Sequence, residues 1–162
     1  IPEQVHILPS QTAAVVGDGR LAVLSAQVLA LTGCDLTVIG HHAEKLQKFA
    51  PFAKTLAHPA GSYEVVVEAS GAPSGLRDAL SIVRHKGTIV LKSTYAGTTD
   101  VDMSSIAVHE ITVVGSRCGP FEPALRLLDR GLVMLEPIEL HALADFASAF
   151  TSPAFKSGFD LC

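Results

Sequence analysis

The 162-residue chain has few charged side chains, few cysteines and no tryptophan. Aspartate, glutamate, lysine and arginine make up 17% of the residues, whereas hydrophobic residues make up 48%. This balance is typical of an α/β protein whose sheet is covered on both faces. The length is that of one domain with a sizeable core.

Two further features that would indicate a nucleic-acid or membrane partner are missing from the sequence. The formal net charge is -4 at pH 7, so the chain has no basic footprint for a phosphate backbone. No apolar run approaches the roughly 20 residues that cross a bilayer. We therefore expect neither nucleic acid nor a membrane among the partners of the chain.

Cysteine is scarce and widely spaced. Cys34, Cys118 and Cys162 lie too far apart for a zinc motif of the CxxC type, and their odd number argues against a disulfide framework. We interpret them as ordinary thiols in a reducing compartment and expect a cytoplasmic protein.

The N-terminus has neither an initiator methionine nor the basic and long apolar segments of a secretion signal. We interpret this as a start inside a longer polypeptide. The sequence then predicts a lead-in segment over residues 1–10 and a single domain over residues 11–162.

A glycine-containing turn at residues 17–22 (GDGRLA) follows a short apolar run and precedes a helical one. Gly17 allows a tight turn, Gly19 lets the backbone approach a phosphate, and the small Ala22 lets the helix pack closely on the strand. The N–H groups of the first helical turn would then face the phosphate with the positive end of the helix dipole. This pattern predicts a dinucleotide-binding turn; the alternative is an ordinary strand-to-helix connection.

Short apolar strands alternate with helices along the rest of the chain. Strands are predicted at 12–16, 36–39, 55–57, 63–69, 88–91, 111–114 and 138–140, and helices at 21–32, 43–50, 76–83, 103–108, 120–130 and 143–150. We expect Gly33 to end the first helix and Ser74 to cap the third. The alternation predicts a doubly wound, mainly parallel, Rossmann-like sheet with right-handed crossovers.

In such a sheet, ligands bind beyond the carboxyl ends of the strands. The turns at 17–22, 40–42, 69–71 and 92–94 all follow predicted strands. We therefore expect them to open onto one edge and to form one site.

Four runs of residues carry a family resemblance: VVGDGRLA at 15–22, VVVEASG at 65–71, GTIVL at 87–91 and HEITVVGS at 109–116. In order and spacing they resemble the nicotinamide-cofactor domain of medium-chain dehydrogenase/reductases, the zinc-type alcohol dehydrogenase group. The resemblance covers most of the chain and implies the cofactor half of an NAD(P)-dependent oxidoreductase.

The resemblance carries three further expectations. The family's catalytic domain, which supplies the zinc ligands, normally precedes the cofactor domain and is absent from this sequence. We therefore expect zinc only in that absent domain and no turnover by the isolated chain. Such domains often pair through a sheet edge, so a homodimer through 111–114 or 138–140 is also expected.

The residues after the second predicted strand bear on the choice between NAD and NADP. An acidic residue at this position normally holds the ribose 2′-hydroxyl of NAD. Here the sequence reads Gly40-His41-His42, with no carboxylate before Glu44. Histidine becomes charged as the pH falls, so these side chains could tolerate a 2′-phosphate. The pattern slightly favours NADP over NAD; the alternative is a pair of solvated turn histidines.

The remaining candidates are small or exposed polar residues. By the resemblance, Ser70, Gly71 and Ser93 would lie near the ribose or nicotinamide, whereas local backbone capping is the alternative. Arg20 could approach a phosphate or be solvated. The predicted cofactor-binding residues are Gly17, Gly19, Arg20, Leu21, Ala22, Gly40, His41, His42, Ser70, Gly71 and Ser93.

No residue is predicted to be catalytic or to bind a metal. Four further histidines, His58, His85, His109 and His141, have no positioned partner in the sequence. Two functions remain open on this basis: the cofactor domain of a dehydrogenase, which the resemblance favours, and a module that senses a dinucleotide without transforming it.

Overall fold

Six parallel strands form the central sheet in a computed structural model that describes residues 1–152, 154 and 156–161. The strands are β1 (Thr12–Val16), β2 (Asp35–Ile39), β3 (Lys54–Leu56), β4 (Tyr63–Glu68), β5 (Val83–Leu91) and β6 (Thr112–Gly115). Their order in the sheet is β3-β2-β1-β4-β5-β6, and every neighbouring pair is parallel. Since β1 lies beside both β2 and β4, the strand order reverses there, and the predicted doubly wound sheet is confirmed.

Helices connect these strands, and a small second sheet follows them. The helices are α1 (Arg20–Ala30), α2 (Ala43–Leu46), α3 (Gly75–Ile82), α4 (Met103–Val108), α5 (Phe121–Asp129) and α6 (Phe146–Thr151). The second sheet pairs β7 (Glu139–Ala142) with β8 (Ser157–Asp160) in parallel. In the described part of the chain, no helix is long and apolar enough to cross a membrane.

The core lies on both faces of the sheet. Alternate residues of β1 face opposite sides, so Ala13 and Val15 belong to one buried cluster and Ala14 and Val16 to the other. The first cluster includes the inner side of α1, and the second includes the inner side of α3. Burial on both faces explains why the strands read as continuous apolar runs in the sequence.

The predicted helix over 43–50 is wrong in length. The structure has one α-helical turn, α2, followed by tight turns in which Phe49 N–H donates to the Leu46 carbonyl and Phe52 N–H to the Phe49 carbonyl. Pro51 cannot donate a backbone hydrogen bond and disfavours helical backbone at the residue before it. Phe49 is fully buried, so packing of its ring accompanies the change from α-helix to turns.

The two predicted helix ends differ from the structure in detail. The first helix ends at Ala30 with Leu31 as its C-cap, and Gly33 follows in a turn with φ +78°. Ser74 does lie before α3, but its side chain makes no capping hydrogen bond within the described chain. Its backbone is already helical (φ −72°, ψ −23°). A capping side chain normally needs extended backbone at that position.

Three further segments of the structure also differ from the predictions. The fifth strand starts at Val83 rather than at residue 88, and Lys86 bends it with φ 59°. The helix predicted at 143–150 begins as a 3-10 turn over Leu143–Asp145. Strand β8 was not predicted because its four residues show no apolar alternation, and only pairing with β7 makes them a strand. Cys162 lies outside the described residues.

Candidate functional site

The turn after β1 needs glycine at position 17. Its backbone has φ +123°, and a Cβ there would lie 2.7 Å from the Ala69 carbonyl oxygen. Gly17 N–H also donates a 2.8 Å hydrogen bond to the Ile39 carbonyl at the end of β2. A side chain would therefore meet both backbone strain and a backbone atom that cannot move cheaply. This residue brings the ends of β1, β2 and β4 together.

Open space lies over the next glycine of the turn. A Cβ on Gly19, the N-cap residue of α1, would meet no described atom within 4 Å. No side chain of the described residues caps this helix, and its first turn contains no acidic residue. The first N–H groups of an α-helix have no intrahelical acceptor and carry the positive end of the dipole. This arrangement suits an anion such as a pyrophosphate.

The next three residues divide into two exposed side chains and one buried one. Ala22 is fully buried against the sheet, which confirms the predicted close packing of helix on strand. Arg20 is exposed, and Leu21 is 41% exposed. Arg20 and Lys156 line a common cavity of about 270 Å³ beside the start of α1. Two cations therefore lie near the uncapped helix end.

A carboxylate does lie at the end of β2, although the sequence there contains none before Glu44. Asp18 Oδ2 accepts hydrogen bonds from the backbone N–H groups of His41 (2.8 Å) and His42 (2.9 Å). The His42 Nδ1 atom lies 2.9 Å from the same oxygen and must donate, because a carboxylate only accepts. The preference for NADP depended on there being no carboxylate at the end of β2. In the fold, the Asp18 carboxylate lies there.

Asp18 is held tightly in this position. A Cβ on Gly40 would lie 2.6 Å from the Asp18 Cβ, so only glycine lets the carboxylate reach the turn. Burial by itself would raise the pKa of the Asp18 carboxyl group. The hydrogen bonds from His42 and His41 outweigh burial, and the pKa is lowered from its ordinary value of 3.8. Asp18 is therefore charged at neutral pH.

The predicted turns share one edge, as expected. Residues of the first three turns line a crevice of about 190 Å³ beyond the ends of β1, β2 and β4. Its lining includes Gly17, Gly40 and Ser70. The fourth turn reaches the third through Ser93, whose Oγ accepts a 2.8 Å hydrogen bond from Gly71 N–H.

A buried carboxylate organises the last two turns. Glu68 is 1% exposed and lies at the end of β4. Its Oε1 accepts from Ser70 N–H at 2.8 Å, Ser70 Oγ at 2.6 Å and Ser93 Oγ at 2.8 Å. The two serines predicted near a cofactor are therefore hydrogen-bonded to this carboxylate. Both serine hydroxyl groups have a partner within the fold.

Asp18 and Glu68 were both missed as site residues. A signal exists for Glu68, because a carboxylate at the end of the apolar run 65–67 is unusual for a buried strand. No local signal exists for Asp18, because its partners lie 23 and 24 residues away.

The four further histidines considered above do not line the crevice. His85 lies near the start of β5, and His109 is the C-cap residue of α4. Their rings stack with centroids 4.2 Å apart. His141 lies on β7, and His58 is exposed after β3. Among the residues that the structure describes, no cluster of three or more potential metal ligands is present.

Together, the reversal of strand order at β1, the glycine turn and the uncapped helix define a Rossmann-type domain of the dinucleotide-binding class. Residues 21–130 match the sequence profile of zinc-binding dehydrogenases. The chain belongs to the zinc-binding dehydrogenase family.

Individual relatives agree with this assignment. The chain is 26% identical, over 88% of its length, to YdjL, an uncharacterised zinc-type alcohol dehydrogenase-like protein of Escherichia coli K12. Its fold is similar to acetophenone reductase from Geotrichum candidum in complex with NAD (TM-score 0.82, 17% identity, 97% of this chain). It is equally similar to S. aureus TarJ in complex with NADPH (TM-score 0.82, 19% identity, 98% of this chain).

The chain spans about half the length of these relatives. It covers 46% of YdjL, 50% of the acetophenone reductase and 57% of TarJ. The shared fold thus corresponds to one part of each larger protein.

Proposed function

We propose that this chain binds a nicotinamide dinucleotide, NAD or NADP, as the cofactor domain of a zinc-type alcohol dehydrogenase-like oxidoreductase. The observation that carries the proposal is the open space over Gly19 at the uncapped N-terminus of α1. Backbone N–H groups there would hold the pyrophosphate, and Arg20 and Lys156 would add positive charge. The predicted site residues and the complexes of relatives with NAD and NADPH support the same ligand class.

The roles of the other residues follow from their positions. Gly17 and Gly40 would let the backbone turns lie close together, and Ala22 would set the distance between helix and strand. Ser70, Gly71 and Ser93 would line the path toward the nicotinamide. When bound, a nicotinamide dinucleotide supplies a hydride donor or acceptor.

The remainder of the proposed enzyme lies beyond this domain. A zinc ion in the family's other domain would polarise the substrate oxygen as a Lewis acid. Membership of the zinc-binding dehydrogenase family favours this role over a module that only senses dinucleotides. We assign residues 11–162 to the dinucleotide-binding domain and residues 1–10 to the lead-in segment, from which Ile7 packs into the core.

Two further assignments accompany this proposal. The free thiols of Cys34 and Cys118 support a reducing, cytoplasmic location. A homodimer would form through β6, an edge strand of the large sheet that carries no charged residue. The second candidate edge, at 138–140, overlaps β7, which belongs to the small two-stranded sheet. It supports the proposed homodimer less well than β6 does.

Calorimetric titration of the purified chain with NAD, NADH and NADP tests the proposed function. We expect saturable binding in the wild-type chain. Gly19→Val should weaken binding at least about tenfold, because its side chain would fill the phosphate position. Its thermal unfolding temperature should stay unchanged, since no described atom opposes the new side chain.

Gly119→Val is the matched control. A Cβ at Gly119 also meets no described atom within 4 Å, and this residue lies outside the crevice. It should retain the affinity of the wild-type chain. Absence of binding of all three dinucleotides to the folded wild-type chain would refute the proposal.

A further inference from the structure

The carboxylate of Asp18 lies in an unexpected place for a residue of a glycine turn. In Rossmann-type domains the adenosine ribose lies beyond the end of the second strand, where an acidic residue binds its 2′-hydroxyl. In this chain β2 ends at Ile39 and is followed by Gly40 and two histidines. The side chain of Asp18 crosses from the neighbouring turn and bonds to those histidines at 2.8 and 2.9 Å.

We propose that Asp18 is the residue that selects NAD over NADP in this chain. The inference rests on the proposed dinucleotide binding and deepens it. The carboxylate does from the glycine turn what an acidic residue at the end of β2 does elsewhere. This choice of cofactor is the reverse of the slight preference for NADP that the residues after β2 predict.

The hydrogen bonds of Asp18 leave one oxygen able to serve a ribose. Oδ2 accepts from two backbone N–H groups and from the His42 ring. Among the described residues, Oδ1 is contacted only by His42 Nδ1, at 3.1 Å. His42 Nδ1 lies near both oxygens, so its single ring proton is shared between them. Oδ1 receives no other hydrogen bond from the described residues and retains capacity for a 2′-hydroxyl donor. The bonds on Oδ2 fix the orientation of this acceptor.

The charges around the crevice also favour NAD over NADP. Its lining contains two carboxylates, Asp18 and Asp78, and two imidazoles, His41 and His42. Neither lysine nor arginine is among the described residues that line it. Arg20 lines two other cavities, each together with Lys156. A 2′-phosphate would place its negative charge against Asp18 without a fixed cation to offset the repulsion.

The dissociation constants of NAD and NADP, measured by calorimetry at low salt, test this inference. For the wild-type chain, we expect NADP to bind at least about tenfold more weakly than NAD. Asp18→Asn removes the charge but keeps an oxygen that can accept from the turn. It should narrow the difference between the two cofactors to within about threefold, chiefly by improving NADP binding.

Asp35→Asn is the control for loss of a negative charge. Asp35 lies at the opposite end of β2, where it pairs with Lys54 at 2.7 Å. This variant should keep the wild-type ratio of dissociation constants. A change in that ratio as large as that of Asp18→Asn would overturn the inference, as would equal weakening of both cofactors by Asp18→Asn.

Fragments of the cofactors decide the question even where Asp18→Asn does not fold. Adenosine 5′-monophosphate should bind the wild-type chain more tightly than adenosine 2′,5′-bisphosphate. The difference should shrink in 1 M salt, where the Debye length is about 3 Å. Equal or tighter binding of the bisphosphate at low salt would overturn the role of Asp18 and leave the proposed function intact. Failure of every dinucleotide to bind would remove both proposals.

Discussion

Glu68 Oε1 accepts a 2.8 Å hydrogen bond from Ser93 Oγ, and this contact ties the carboxyl end of β4 to the turn after β5. Ser93 Oγ in turn accepts from Gly71 N–H. Two turns from different strands therefore form one hydrogen-bonded unit around a carboxylate that is 1% exposed. The candidate site depends on this unit for its shape at the ends of β4 and β5.

Replacing Glu68 by alanine should destabilise the fold. The change removes the acceptor for Ser70 N–H, Ser70 Oγ and Ser93 Oγ. Donors that lose a charged acceptor in a buried place cost about 2–4 kcal/mol in the free energy of unfolding. Urea unfolding measures this loss. The exposed Glu44→Ala serves as control and should change stability by no more than about 0.5 kcal/mol. Equal stability of the two variants would contradict the role of Glu68.

Gly17→Ala should also destabilise the chain, but for a steric reason. The new Cβ would lie 2.7 Å from the Ala69 carbonyl oxygen, at a backbone φ of +123°. We expect a loss of about 2 kcal/mol or more in the free energy of unfolding. Thermal and urea unfolding measure it. Gly119→Ala introduces the same methyl group where no described atom lies within 4 Å, and it should leave stability nearly unchanged.

The contact between Asp18 and the turn after β2 should make stability depend on pH in the acid range. The pKa of Asp18 is lowered in the folded chain, so between its folded and unfolded pKa values the unfolded state binds more protons. Its contribution is fully present above the ordinary value of 3.8 and is lost as the pH falls through the lowered pKa. Urea unfolding of the wild-type chain and Asp18→Asn between pH 6 and the acid range measures the difference. A difference that does not shrink on acidification would contradict it.

The proposed homodimer predicts a specific effect at β6. Val113 is 38% exposed on this edge strand, which carries no charge. Val113→Lys should favour the monomer, because a charged side chain discourages pairing of strand edges. Light scattering across a range of concentrations measures the mass. Thr55→Lys, on the opposite edge strand β3 that already contains Lys54, should leave the mass unchanged. A purely monomeric wild-type chain would contradict the proposal.

The local pattern of the chain was enough for much of the fold. Strand β1 was predicted with its observed bounds, and helix α1 was predicted to within two residues at each end. Glycine conformation, helical periodicity and the burial of β-branched runs act over a few residues, so the sequence shows them directly. The edge onto which the turns open followed from the parallel sheet alone.

The chemistry of that edge depended on contacts between distant residues. The sequence by itself determined a Rossmann-type domain and the positions of its glycines. Only the tertiary structure decided that the carboxylate of Asp18 lies at the end of β2. It also decided that Glu68 accepts a hydrogen bond from Ser93, 25 residues away. The physical reason is that a side chain's partners depend on strand order and register, which bring remote turns together. Local propensity and residue spacing describe neither strand order nor register.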